Sequence, residues 1–204
     1  MKFFLNALNH SRQRLVATHI SKIISTSPLF LPRTPKWGAP FKTLITNAGS
    51  WGWKADKEGY GYVKIHPKTK KKWPPIPKLF LKIWGIYCNT SLPPNSCLIN
   101  LYQNSDSTLG LHQDKDENDY SFPVVSISLG SSAIFKYGKT KQHLKSVCLK
   151  SGSIAILDGK SRLDYHGISN VIKVKNNLFE SEEFYNIPDH ARINVTLRRY
   201  TPIN

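Results

Sequence analysis

Acids, cysteines and long apolar runs are scarce in this sequence, and each shortage narrows what the chain can be. Thirteen Asp and Glu stand against 29 Lys and Arg, a formal net charge of +16 over 204 residues. Such a surplus favours polyanions as partners, nucleic acid first and an anionic membrane surface second. No apolar run approaches the ~20 residues that cross a bilayer, so a membrane-embedded protein is not expected. The three cysteines, Cys88, Cys97 and Cys148, are odd in number and lack C-x-x-C spacing, so a disulfide framework is not expected either. They read as small buried hydrophobes in a reducing, cytoplasmic setting. The apolar start, Met1 to Leu5, breaks at Asn6 and Asn9 without a small-residue cleavage pattern, which argues against a secretory signal.

The missing acids are also unevenly missing. None occurs before Asp56, and most of those present fall between Asp106 and Asp119 or between Glu180 and Asp189. The first of these clusters surrounds Leu111-His112-Gln113-Asp114-Lys115-Asp116-Glu117. In an extended segment His112 and Asp114 point to one face, about 6–7 Å of backbone apart. Two histidines and one carboxylate on one face of a metal leave coordination positions open, the pattern of a non-haem Fe(II) oxygenase. A His-x-Asp pair alone is common, so a second histidine is needed. His166, in Arg162-Leu163-Asp164-Tyr165-His166-Gly167, is separated from Asp114 by 51 intervening residues, a gap of a few short strands. His66, His143 and His190 sit in loop contexts.

Several parts of the chain have readable structure. Residues 1–25 carry a helix-compatible apolar stripe through Leu5, Leu8, Leu15, Ile20, Ile23 and Ile24. Because the stretch is basic and acid-free, an organellar or nuclear address is the alternative to a cytoplasmic location. Four prolines between Pro28 and Pro40 exclude a helix there. Residues 41–65 read as strand 41–46, turn 47–52 and strand 59–63. Their aromatics, Trp51, Trp53, Tyr60 and Tyr62, alternate with Lys54, Lys57 and Lys64, and the lysine run 68–72 follows. Aromatic faces stack on bases and lysines neutralise phosphates, although a hairpin packing its aromatics inward would show the same residues. A supporting helix is predicted over Lys78–Tyr87, introduced by Pro77. Short strands follow at 97–102, 109–113, 123–129, 133–137, 145–149, 153–157, 163–166 and 192–200, the rhythm of a sandwich, barrel or jelly roll. In the last, Arg192, Asn194, Thr196 and Arg198 alternate strictly with Ile193, Val195 and Leu197. The polar face suits either solvent or a pocket that grips carboxylates through guanidinium forks.

Ordered blocks across residues 41–200 carry a resemblance. Leu98-Ile99-Asn100-Leu101-Tyr102, the 111–117 stretch, Val125 to Gly130, Ala133-Ile134-Phe135, Ser161 to Gly167 and Arg192-x-Asn194-x-Thr196-x-Arg198 resemble the AlkB family. Thr46-Asn47, Gly52-Trp53, Gly59-Tyr60 and Trp73-Pro74 extend it upstream. The resemblance implies a mainly β (α+β) protein. Its core is a double-stranded β-helix, or jelly roll, with an N-terminal nucleotide-recognition hairpin and one or two supporting helices. On this reading 1–40 is an extension without assigned structure, 41–95 the recognition lid and support helix, and 96–204 the catalytic core, with 41–204 one domain.

The implied activity uses Fe(II), 2-oxoglutarate and O2 to remove methyl groups from bases of single- or double-stranded DNA, with RNA also open. The implied metal ligands are His112, Asp114 and His166, and the implied 2-oxoglutarate contacts are Asn100, Tyr102, Arg192, Asn194, Thr196 and Arg198. The implied substrate contacts are Trp53, Tyr60, Gly61, Tyr62, Asp116 and Lys141. A monomer is expected. Three features depart from the family pattern: Asp164 stands beside the metal-side Tyr165-His166, Leu157 replaces an aromatic residue, and the loop Gly138 to His143 is about two residues short, with Lys141 the nearest equivalent of the family's substrate-side Arg. The same core could instead hydroxylate RNA alone, a protein or a small molecule, or survive as an inactive nucleic-acid-binding module.

Overall fold

A computed structural model describes residues 1–90 and 92–203. Its framework is two facing antiparallel sheets. The larger has six strands in the order β1 (Lys2–Phe4), β10 (Ile154–Leu157), β7 (Val124–Gly130), β12 (Arg192–Arg198), β5 (Ser96–Tyr102) and β2 (Leu44–Gly49). The smaller runs β6 (Leu109–His112), β11 (Tyr165–Ile172), β8 (Ser132–Gly138) and β9 (Lys145–Leu149). This is the mainly β jelly-roll core, with two helices, that the strand rhythm and the resemblance implied.

β5 and β7 are buried at every position. Sheet strands covered on both faces lose the polar–apolar alternation of half-exposed strands. One covering layer is helical. α1 (His10–Thr26) starts at Asn9, whose side chain accepts a hydrogen bond from the Arg12 amide at 3.0 Å. It buries Val16, Ala17, Ile20, Ile23 and Ile24, at helical spacing. α2 (Lys78–Tyr87) buries Phe80, Ile83 and Trp84 in the same cluster, together with Ile99, Ile127, Ile193 and Val195 of the larger sheet. Each large aliphatic side chain sealed this way contributes roughly 1.5–3 kcal/mol. A second cluster, including Tyr102, Phe135, Leu149 and Ile168, joins residues from the two sheets.

Residues 1–40, for which the sequence suggested only a helical stripe, supply the edge strand β1 and the helix α1. β1 pairs with β10, and Lys2 reaches Asp158 at 2.6 Å. Further corrections concern strand ends. The strand expected at 163–166 begins at Tyr165 and runs to Ile172, because residues 159–164 are taken up by a 3-10 turn and the residues after it. The expected turn 47–52 is shorter, since Asn47, Ala48 and Gly49 belong to β2. The tract around Trp53 is itself a strand, β3 (Gly52–Asp56), paired with β4 (Gly59–Val63) as a separate hairpin. Gly52 sets the hairpin on its base: a Cβ there would lie 2.4 Å from Cε2 of the Trp73 indole. Trp73 in turn packs with Phe30, Ile45 and Leu98.

Candidate active site

Between the sheets lies a cavity of about 500 Å3, whose lining includes Trp53 and the exposed Tyr60 of the hairpin. β6 and the loop after it bring His112 and Asp114 to its wall, and β11 brings His166. His112 and His166 are cross-strand partners, so one hydrogen-bonding register sets both imidazoles. Their outer ring nitrogens meet backbone carbonyls: His112 Nδ1 faces Gly110 O at 2.8 Å, and His166 Nδ1 faces Asp164 O at 3.1 Å. A carbonyl only accepts, so each Nδ1 carries the proton and each Nε2 presents a lone pair inward. His112 Nε2 lies 3.6 Å from one Asp114 oxygen and His166 Nε2 lies 3.6 Å from the other. All three donor atoms lie within 4.8 Å of one another.

Asp114 tests whether a cation fits. Its Oδ2 is buried without a hydrogen-bond donor. Burial raises the cost of its charge, yet the Arg198 guanidinium, foremost among the groups that favour the charge, works against that, and the carboxyl is held well below its usual range. An ionised, buried carboxylate oxygen with no donor, between two imidazole lone pairs, is a donor set suited to Fe(II). Asp164 contributes its backbone carbonyl to His166 and does not line the cavity with its side chain. Leu157 does line it.

The polar face of β12 turns inward. Arg192, Asn194, Thr196 and Arg198 all line the cavity, as do Asn100 and Tyr102 of β5. Arg192 is 1% exposed. Its Nη2 donates to Ser128 Oγ at 3.0 Å and its Nη1 to Ser131 O at 3.4 Å, while Nε has no partner. Among the described residues no carboxylate pairs with it. A buried guanidinium without an acid is costly, and a carboxylate ligand in the cavity would satisfy it, as the far end of 2-oxoglutarate does chemically. Tyr102 packs its ring against this guanidinium, 5.8 Å away, and burial pushes its phenol up to about 12, so its hydroxyl keeps its proton at neutral pH. Thr196 donates to Asn194 Oδ1 at 2.8 Å, and Asn194 donates to Ser126 Oγ at 2.6 Å.

Arg198 behaves differently. It contacts Asp114 Oδ1 at 2.9 Å and Glu117 Oε1 at 2.9 Å. Glu117 is fully buried and also receives Arg162 at 2.9 Å and the Tyr62 hydroxyl at 2.6 Å. Arg162 then donates to the Asp114 backbone oxygen at 2.6 Å. Glu117 and Arg162 did not stand out in the sequence as site residues. The available signal was the adjacent Asp116 and Glu117 in an acid-poor chain.

Of the residues expected to contact substrate, Trp53, Tyr60, Asp116 and Lys141 line the cavity. Gly61 and Tyr62 do not. The Tyr62 hydroxyl is held by Glu117, and its ring stacks on Tyr200 at 4.4 Å. Asn47 brackets the Trp53 backbone with two hydrogen bonds, at 3.0 and 3.1 Å. The indole Nε1 donates to Asp116 at 2.9 Å, and Tyr60 lies 14° from parallel with the indole at 6.0 Å. Lys141 rests 5.3 Å from the centre of the Tyr165 ring.

Comparison with known proteins agrees with this geometry. The sequence profile of the 2OG-Fe(II) oxygenase superfamily matches residues 3–198. The α-ketoglutarate-dependent dioxygenase AlkB homolog of Caulobacter vibrioides is 38% identical over 194 residues, 94% of this chain and 84% of that protein. The α-ketoglutarate-dependent dioxygenase AlkB of Escherichia coli is 39% identical over 155 residues, 73% of this chain and 71% of its own length. Among solved structures, that of OsALKBH1 superposes with a TM-score of 0.78 at 29% identity, over 97% of this chain and 96% of that one. With the clustered His–Asp–His set, and an Arg192 that no carboxylate among the described residues pairs, already pointing to iron and a carboxylate co-substrate, the chain belongs to the 2OG-Fe(II) oxygenase superfamily and, within it, to the AlkB family of α-ketoglutarate-dependent dioxygenases.

Proposed function

We propose that this dioxygenase removes methyl groups from ring nitrogens of nucleobases, 1-methyladenine and 3-methylcytosine, in DNA, with RNA a second polymer for the same pocket. Trp53 and Asp116, both in the cavity lining and joined by a 2.9 Å hydrogen bond, carry the reading. A flat apolar face beside an anionic edge suits a flat cation. Methylation at adenine N1 or cytosine N3 gives the base a positive charge, and its attraction to a carboxylate strengthens where water is excluded. Such a base must leave its stack to enter, and aromatic side chains receive extruded bases. The surrounding charge of +16 draws the polymer itself.

Each residue has a proposed task. His112, Asp114 and His166 hold Fe(II), their inward lone pairs set by the Gly110 and Asp164 carbonyls and by Arg198. Arg192, Tyr102 and Asn194 bind the far carboxylate of 2-oxoglutarate, with Asn100, Thr196 and Arg198 toward its other end. Trp53 and Tyr60 hold the base, Asp116 its charged edge, and Lys141 a phosphate at the mouth. Fe(II) with 2-oxoglutarate and O2 supplies the oxidation of the N-methyl C–H bond, with succinate and CO2 as co-products. The hydroxymethyl group left on nitrogen departs as formaldehyde and restores the base.

Mass spectrometry of matched DNA and RNA oligonucleotides carrying 1-methyladenine or 3-methylcytosine tests this. The methyl group is expected to disappear only when Fe(II) and 2-oxoglutarate are both supplied, in step with succinate. Succinate formation that no methylated oligonucleotide stimulates, with every methyl group retained, would sink the reading.

A further inference from the structure

Beside the cavity the chain forms a second groove of about 330 Å3. Trp53 and Lys54 are neighbours on β3; the first lines the cavity and the second the groove, so the β3–β4 hairpin is the wall between them. Arg33, Lys57 and Lys68 also line the groove, as does one acid, Asp56, over a floor that includes Phe30, Leu31 and Pro67.

Internal bonds hold the segments around the groove. In the turn 33–40, Arg33 Nη1 donates to Gly38 O at 2.8 Å, and the Thr34 amide donates to Ala39 O at 2.9 Å. The Arg33 amide ties this turn to Ala55 O of the hairpin at 3.0 Å. The turn 66–72 is pinned by His66, which is buried. Its Nδ1 accepts the Lys68 and Thr69 amides at 3.0 and 3.2 Å, so its Nε2 donates to Pro28 O at 2.7 Å. At the hairpin end Asp56 and Glu58 are both engaged by Lys54, at 2.7 and 3.0 Å. Arg33, Lys57 and Lys68 have no acidic partner among the described residues.

Next to Gly38, the first turn displays Trp37, 77% exposed, with the Lys36 ammonium 4.9 Å from its ring centre. Its turn is tied at both ends, so the indole is held out in solvent by bonded backbone. Arg33, Lys57 and Lys68 outnumber the one acid of the groove, Asp56, which Lys54 already holds, and cations in surplus beside a displayed aromatic face fit a phosphate backbone with unstacked bases.

We propose that this groove and Trp37 bind nucleotides flanking the target base, with phosphates on Arg33, Lys57 and Lys68 and one base stacked on Trp37. The inference rests on the nucleic-acid reading above and extends it to a strand that crosses the hairpin. Binding of a methylated trinucleotide and of a methylated 15-mer single strand, each measured across a salt series, tests it with Lys57→Gln/Lys68→Gln and Trp37→Ala. Each phosphate contact on single-stranded nucleic acid adds about 0.7 to the slope of log affinity against log salt. The double lysine variant should therefore flatten the 15-mer slope by about 1.4 while trinucleotide affinity stays unchanged. Trp37→Ala should weaken the 15-mer about ten-fold, within the range for loss of one stacked base. A wild-type slope in the lysine variant, or equal losses on both lengths, overturns the groove. Wild-type protein that binds the 15-mer but leaves its methyl group in place would sink the demethylation reading and leave this binding comparison intact; wild-type protein that binds neither strand sinks both.

Discussion

Glu117→Gln is the most informative single change. It preserves size while removing one charge from a buried cluster of two acids, Asp114 and Glu117, and two arginines, Arg162 and Arg198. Glu117 accepts three donors, the two guanidinium groups at 2.9 Å each and the Tyr62 hydroxyl at 2.6 Å. A glutamine offers one acceptor oxygen and turns an NH2 group toward an arginine. Removing one partner from a buried ion pair costs about 3–5 kcal/mol, because the remaining charge stays buried. Total stability of a protein this size is about 5–15 kcal/mol, and each kcal/mol moves the Tm by roughly 2–4 °C. The expected result is a Tm about 10 °C lower and a matching fall in the urea midpoint. Tyr62→Phe removes one hydrogen bond to a charged group without changing any charge, and should cost about 1.5–3 kcal/mol. A double-mutant cycle with Arg162→Met isolates the pair, since the double variant restores one cation to one anion; a coupling of about 2 kcal/mol is expected. A urea series in which Glu117→Gln loses less than about 1 kcal/mol, with no coupling to Arg162, would refute the view that this cluster braces the Asp114 wall.

Arg192→Met should leave unfolding free energy unchanged or raised, because it removes an unpaired buried cation, while 2-oxoglutarate affinity by calorimetry falls at least about 30-fold, the low end for truncating one partner of a buried charge pair. Asp116→Asn should slow demethylation of cationic lesions more than that of neutral N-methyl lesions; an unchanged ratio in a competition assay removes the charge argument. Burial pushes the Cys88 thiol up to about 12 and raises Cys97 further, so neither carries appreciable thiolate at pH 8. Iodoacetamide at that pH should label native protein at Cys148 alone and all three sites after denaturation, as read by peptide mass spectrometry.

Much of the site was legible because its chemistry is periodic. His112 and Asp114 share a face through the strand repeat, and the alternation of β12 separated Arg192, Asn194, Thr196 and Arg198 from their apolar neighbours. Periodicity cannot say which face turns inward; the helices decide it, since Ile193, Val195 and Leu197 pack in the cluster with α1 and α2 and leave Arg192, Asn194, Thr196 and Arg198 to the cavity. Glu117 was hidden for a related reason. Within an acidic stretch it reads as a solvated charge, and its partners lie 45 and 81 residues away. Tyr62 misled in the opposite sense. Its aromatic–lysine context resembles a nucleic-acid surface, but the hairpin directs its hydroxyl down to Glu117. β1, three residues long, carries too few side chains to show a pattern.

The position of β12 also matters for how the enzyme is made. Seven of the eight strands between β5 and β12 leave the ribosome first, yet β12 occupies an inner place in the larger sheet, bonded to β5 on one side and β7 on the other. Until residues 192–198 emerge, those two strands face an open slot with unpaired backbone on both sides, a template for wrong pairing or aggregation. The strand that closes the slot also carries Arg192 and Arg198. Competence to take up the co-substrate and completion of the sheet therefore arrive in one step, and a chain stopped short of residue 198 has neither.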